Sequence, residues 1–164
     1  MSNEGIKFAA DVMLGRTARW LRMLGYDVFY RSKISDDELI FVSLIEGRII
    51  LTRDVKLARR AASATYLVRA NDVWAQLREI TNQFSIRPKL QLRRCPVCNG
   101  KILEVPKETI ENLVPKYTFL THKKFWQCEV CKKVFWRGSH IKLAQRDILN
   151  RITSAVGEND NENP

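Results

Sequence analysis

Four cysteines, spaced as Cys95-x-x-Cys98 and Cys128-x-x-Cys131, constrain this chain more than any other feature. A two-residue spacer lets both sulfurs of a knuckle point at one tetrahedral ion, and two knuckles close a four-cysteine zinc site. No other cysteine exists, and 29 residues separate the pairs. The common pattern has roughly 15–20 residues there, so a loop over 106–115 is expected to absorb the excess. Gly100 is expected to take the left-handed turn behind the first knuckle, where the second has Lys133. Disulfides, a thioredoxin-type redox pair and an iron–sulfur cluster are the rival uses of these cysteines, and each suits two separated knuckles less well. With all four positions taken by protein, such an ion is structural and any catalysis lies elsewhere.

The charge is uneven. The chain carries +10 overall, with +3 in residues 1–84, +9 in 85–142 and −2 in 143–164. The excess therefore coincides with the cysteines, and it points to a polyanion such as RNA or DNA. A basic protein without such a partner is the alternative. Apolar residues make up 45% of the chain, enough for a buried core. No run reaches the roughly 18–20 apolar residues of a membrane span. Met1 to Gly5 lacks a basic flank and a following hydrophobic run, so no secretory signal is expected and the expected location is cytoplasmic.

Patterning divides the chain in two. Strands are expected over 6–10, 26–30, 48–52 and 65–68, alternating with helices over 13–24, from Ser35 to Gly47, over 55–64, and from Asn71 or Asp72 to 84. Ser35 with Glu38 forms a capping-box pattern, and Leu39, Ile40, Val42, Leu44 and Ile45 are expected as that helix's buried face. Such alternation implies an α/β fold with a parallel sheet covered on both faces. After residue 87, strands are expected over 101–105, 117–120, 124–127 and 133–136, then a helix over 141–152 and a disordered acidic tail over 157–164.

Asp11 and Asp54 follow the first and third strands, and Asp36 and Asp37 open the helix between them. In an open parallel sheet the carboxyl ends of the strands form the ligand crevice. Acids gathered there would hold Mg²⁺ or Mn²⁺, which prefer oxygen ligands and can activate water on a phosphodiester. Helix capping is the competing reading of each of these acids, and the likelier role of Asp72. Asp27 reads as a turn residue. Arg16, Arg19 and Arg22 recur along the first helix, and Arg53 precedes Asp54; phosphate binding and a plain solvated face both fit them. Around the second knuckle, Lys132, Lys133 and Arg137 interleave with Phe125, Trp126, Phe135 and Trp136, whose rings suit either stacking on nucleotide bases or a small core. His140 at a helix start is a phosphate-contact candidate, and His122 reads as a solvated loop residue.

These segments together resemble the Mut-seven C-terminal RNase domain family. The resemblance rests on Phe8 to Arg22, Leu24-Gly25-Tyr26-Asp27, Asp36-Asp37-Glu38-Leu39, Ile50-Leu51-Thr52-Arg53-Asp54, Cys95 to Gly100 and Phe135 to His140. It implies a PIN-like nuclease domain over 1–90, a zinc ribbon over 91–146, and the end of a C-terminal helix with the tail over 147–164. It also implies a Mg²⁺- or Mn²⁺-dependent RNase in which Asp11, Asp37 and Asp54, with Asp36 in reserve, are the catalytic acids. Where such domains often carry a further acid, two residues after Asp54, this chain has Lys56. The expected partner is RNA, with the ribosome or ribosomal RNA as one form of it. The alternatives are a non-catalytic RNA- or ribosome-binding protein that keeps the fold, and a nuclease directed at DNA.

Overall fold

Phe8, Ala9 and Ala10 are all fully buried, so the first strand, β1 (Lys7–Ala10), is covered on both faces. The structure is a computed structural model that describes residues 5–91 and 93–153, apart from the side chains of Ser63, Ser139 and His140. Parallel neighbours β2 (Asp27–Tyr30) and β3 (Ile49–Thr52) flank β1, and β4 (Thr65–Leu67) lies parallel outside β3. The sheet order is β2-β1-β3-β4. The chain thus runs outward from β1 to β2, then crosses back over β1 to β3. This reversal is a topological switch point, and it falls between β1 and β3.

Alternating side chains feed two cores. Phe8, Ala10 and Leu51 meet Leu14, Ala18 and Leu21 on and just before α1 (Gly15–Met23). Ala9 and Ile50 point the other way, to Leu39 of α2 (Asp36–Glu46) and Leu57 of α3 (Val55–Ala61). The first core also takes Leu77 and Ile80 of α4 (Val73–Gln83). The capping box at Ser35 and Glu38 forms as expected, and Gly47 ends α2 at φ +62. The buried face of α2 is narrower than expected. Leu39 and Ser43 point inward, whereas Leu44 and Ile45 are each 71% exposed. Ile40, half-buried, packs against the same small core of Ala9, Ile50 and Leu57.

A second sheet, antiparallel, joins β5 (Ile102–Val105), β6 (Phe125–Cys128) and β7 (Val134–Trp136). The strand expected over 117–120 is instead a short helix, α5 (Lys116–Thr121). Pro115 precedes it and accepts the N–H of Phe119 at 2.9 Å, and the Phe119 ring stacks toward Phe125 at 6.4 Å. Tertiary packing of one aromatic outweighs the strand preference of Tyr, Thr and Phe. The last helix, α6 (Ser139–Thr153), returns to the first core through Ile148 and Ile152. Its Gln145 side chain accepts from Leu90 N–H at 2.6 Å and donates to the Pro88 carbonyl at 2.9 Å. The tail expected to be disordered lies outside the described residues. Among the described residues no helix is long and apolar enough to cross a membrane.

Asp27, expected as a turn residue, is the hub between the two sheets. Its carboxylate accepts from Arg48 at 2.6 Å, from Arg94 at 2.9 Å and from the Asn99 amide at 2.8 Å. Asn99 also accepts the N–H of Val28 at 3.0 Å, sealing part of the edge strand β2. Burial alone would push the Asp27 carboxyl upward, but Arg48, Asn99 and Arg94 outweigh it and hold the pKa below the usual carboxylate range. A depressed folded-state pKa contributes stability that is present above the unfolded value, about 3.9, and is lost as pH falls through the folded one. Asp27→Asn is expected to cost on the order of 3 kcal/mol at pH 7, because it leaves Arg94 without its carboxylate and Arg48 with Glu46 alone. Urea denaturation of both proteins should show the difference at pH 7 and a shrinking difference below about pH 4; a difference independent of pH would refute it.

Candidate functional site

The carboxyl ends of β1 and β3 are adjacent, so Asp11 and Asp54 share the crevice at the switch point. Asp11 N–H donates to the Leu51 carbonyl at 2.9 Å, continuing the strand pairing by one residue. The Thr52 hydroxyl, fully buried, donates to Asp11 Oδ2 at 2.7 Å and accepts the Asp54 N–H at 2.9 Å. One hydroxyl therefore bonds both the Asp11 carboxylate and the Asp54 backbone amide. Both acids are also helix caps, as the competing reading held. Asp11 Oδ1 accepts from Val12 N–H at 2.6 Å, and Asp54 Oδ1 accepts from Lys56 and Leu57 N–H at 2.6 and 3.2 Å. Capping fixes the carboxylates without using every oxygen: among the described residues Asp54 Oδ2 accepts no hydrogen bond. Asp72 is purely a cap, accepting from Trp74 and Ala75 N–H.

The remaining acids are held differently. Asp36 and Asp37, in the first turn of α2, both pair with Arg60 of α3, Asp36 at 3.2 Å. Among the described residues, Asp11, Asp37 and Asp54 do not form a group whose oxygens all lie within 4.8 Å of one another. Tyr30, at the carboxyl end of β2, covers the start of α1. Its hydroxyl reaches the Val12 carbonyl at 3.3 Å, and its ring covers Gly15, where a Cβ would stand 2.5 Å from the Tyr30 oxygen. Glycine is needed there for close approach rather than for backbone freedom.

The four cysteines do come together, with sulfurs all within 4.8 Å of one another. Cys95 and Cys131 lie 3.7 Å apart and Cys98 and Cys128 3.4 Å. Tetrahedral zinc–sulfur bonds of about 2.3 Å put sulfurs roughly 3.8 Å apart, so the set fits a metal such as zinc. Burial pushes the Cys95 thiol up to about 12. At Cys98 burial acts the same way, but the Gly100 N–H and the neighbouring cysteines bring the thiol down to about 7. The left-handed residues are Asn99 (φ 67) and Lys132 (φ 60), one position earlier than expected in each knuckle. Gly100 serves another need: a Cβ there would lie 2.8 Å from the Cys128 sulfur and from Val130.

The basic candidates separate clearly. Arg16 and Arg19 are exposed on α1, but Arg22 is buried and cannot face a phosphate. Its guanidinium donates to the Val28 carbonyl at 2.9 Å and to Pro96 and Val97 in the first knuckle at 3.3 and 3.1 Å. Burial lowers its pKa, while the nearby Cys98 and Cys95 oppose that shift. Arg53 donates to Asn71 at 2.5 Å. The Lys132 ammonium folds back onto the Glu129 carbonyl at 2.8 Å, Lys133 is exposed, and Arg137 lies over the Trp126 ring at 5.3 Å. Phe125 is core, and Trp126 and Phe135 pack against the cysteine cluster, so the aromatics serve a small core first. His122 is half-buried between Phe125 and Trp136 instead of free in a loop. His140 lies outside the described side chains.

Sequence reasoning missed Thr52, Tyr30, Arg48 and Asn99, and it read Arg60 as a phosphate-binding candidate where the structure pairs it with Asp36 and Asp37. A hydroxyl closing an aliphatic strand, Ile49-Ile50-Leu51-Thr52, was a usable signal for the first; the others depend on partners far along the chain. Cys95→Ser is expected to lower the metal content of the protein and its melting temperature, the latter by more than about 10 °C, since a lost structural site removes several kcal/mol. Elemental analysis with thermal denaturation checks this, and unchanged metal content and melting would refute it.

A family model described as the Mut7-C RNAse domain matches residues 6–148. No curated protein and no solved structure matches. The matched span includes both acid-bearing strand ends, the Asp27 hub and all four cysteines. On that match the chain belongs to the Mut7-C RNAse domain family, and its function is of the nuclease type in general.

Proposed function

We propose that this protein is a metal-dependent ribonuclease acting at the crevice between β1 and β3, with RNA as its substrate. The observation that carries the reading is the Thr52 hydroxyl at the switch point, which bonds the Asp11 carboxylate and the backbone N–H of Asp54. The donor set is all oxygen, which suits Mg²⁺ or Mn²⁺, and Mg²⁺ is usually held by one or two carboxylates and its own waters. Asp11 and Asp54 would hold the ion, with Asp37, or Asp36 beside it, contributing from α2. When bound, such an ion supplies an activated water and charge stabilisation on the phosphodiester.

The chain's own groups have definite parts. Thr52 positions the Asp11 carboxylate by donating to Oδ2. The cap contacts keep Asp54 from rotating. Arg16, Arg19 and Lys56 are exposed near the crevice and would take phosphate oxygens. Arg60 pairs with Asp36 and Asp37 and restrains them. A structural Zn²⁺ at Cys95, Cys98, Cys128 and Cys131 would keep the basic module folded for RNA binding. The Arg60 pairing also favours a second reading, a non-catalytic RNA-binding protein whose α2 acids are neutralised internally.

Cleavage of labelled RNA with Mg²⁺, with Mn²⁺ and with neither separates the two. The nuclease reading expects metal-dependent cleavage that Asp54→Asn abolishes while RNA affinity persists. Binding without cleavage under either metal would establish the second reading. Thr52→Val is expected to lower the cleavage rate about 10- to 100-fold with the fold intact, as removal of a ligand-orienting hydrogen bond does. An unchanged rate would remove Thr52 from the site.

A further inference from the structure

A cleft of about 820 Å³ opens between the α/β sheet and the cysteine module, at the opposite end of the strands from the carboxylates. Lys7 begins β1, and Tyr26 and Asp27 lie at the start of β2, so the cleft faces the amino edge of the sheet. The connecting segment supplies Arg87 and Arg93, and Lys101 comes from beside β5. Asp27 is its acidic wall residue, and that charge is already taken by Arg48 and Arg94. Among the described residues no carboxylate lies within 4.0 Å of the charged ends of Lys7, Arg87 or Lys101. All three are exposed. The cleft therefore presents uncompensated positive charge around a half-open volume.

We infer that this cleft binds the phosphate backbone of a single RNA strand, anchoring substrate at the end of the sheet opposite the carboxylates. The inference rests on the RNA reading above for its ligand, but not on cleavage. Three features favour a strand over a compact polar solute. The cations come from three separate segments and line a cleft that is open on one side. The walls are fixed: Gln91 N–H bonds the Met23 carbonyl at 2.9 Å, and Gly25, at φ +93, leaves Gln91 room to pack. Tyr26 offers a half-buried ring within the cleft, a surface on which an unpaired base can stack. Cations set on a rigid frame bind phosphates without an ordering cost. Lys7 and Asp11 lie about 13 Å apart along one strand, so a single RNA could reach from this cleft to the acids.

The test is binding of a labelled single-stranded RNA to the full chain, in buffer without Mg²⁺ or Mn²⁺, over a range of salt. Arg87→Glu with Lys101→Glu is expected to weaken binding roughly tenfold and to flatten the salt slope by about 1.4. The milder pair Arg87→Gln with Lys101→Gln is expected to fall between, and circular dichroism and metal content report that each variant is folded. Lys142→Glu with Arg146→Glu, exposed on α6 and not among the residues that line the cleft, makes the same change of net charge and is expected to have a much smaller effect. Equal loss from the α6 pair would overturn the proposal, because the effect would then be one of overall charge. Unchanged affinity in both cleft variants would overturn it directly. Inorganic phosphate and a nucleoside monophosphate are added as competitors; displacement of RNA by either at comparable concentration would assign the cleft to a free phosphate ligand instead. A wild-type protein that binds RNA but never cleaves it would remove the nuclease reading and leave this comparison intact.

Discussion

The carboxylate of Asp27 accepts hydrogen bonds from Arg48, Arg94 and Asn99, and the whole arrangement leans on that contact. Arg48 stands just before β3 and also donates to the Phe8 carbonyl at 3.1 Å, so it spans the starts of β2, β1 and β3. Arg94 and Asn99 belong to the cysteine module. One buried charge thus sets the sheet and the module against each other. Its cost is met by full hydrogen bonding, which is the condition under which buried ion pairs are tolerated. Arg22 repeats the device nearby, placing a buried cation among the carbonyls of the first knuckle. A guanidinium there would offset the negative charge that the four cysteines would accumulate as ligands of a metal.

At the other end of the strands the logic is different. Asp11 and Asp54 are anchored through local capping bonds, and Thr52 couples them across the sheet. Capping and metal binding are usually weighed as alternatives, yet here they are compatible. A carboxylate has two oxygens and several lone pairs. At Asp54, spending Oδ1 on backbone N–H groups fixes its direction and leaves Oδ2 available, whereas at Asp11 both oxygens accept a hydrogen bond and only their remaining lone pairs are open. The α2 acids lack such anchors and are restrained by Arg60 across to α3. The acids therefore fall into a pair fixed by backbone and a pair held by one long side chain, with different consequences for ligand binding.

Much of this was legible from local pattern. The four strands and the helices between them follow from apolar runs and caps, because each element's boundaries depend on nearby residues. The cysteine knuckles were equally legible, since ligand spacing is a short-range property. Errors cluster where a distant partner decides. Residues 117–120 form a helix because Phe119 packs on Phe125. Arg22 is buried because the first knuckle folds over it, although its spacing from Arg16 and Arg19 suggested one shared face.

The amino-acid sequence by itself determined the α/β class, the positions of Asp11 and Asp54 after their strands, and the convergence of four cysteines, because periodicity and ligand spacing are written within a few residues. Only the tertiary structure decided that β1 and β3 are neighbours, that Thr52 joins their acids, that Asp36 and Asp37 answer to Arg60, and that Asp27 locks the two sheets together. Each of these rests on a contact between residues more than twenty positions apart. Such contacts form only after the hydrophobic cores have set the register, so no local pattern announces them.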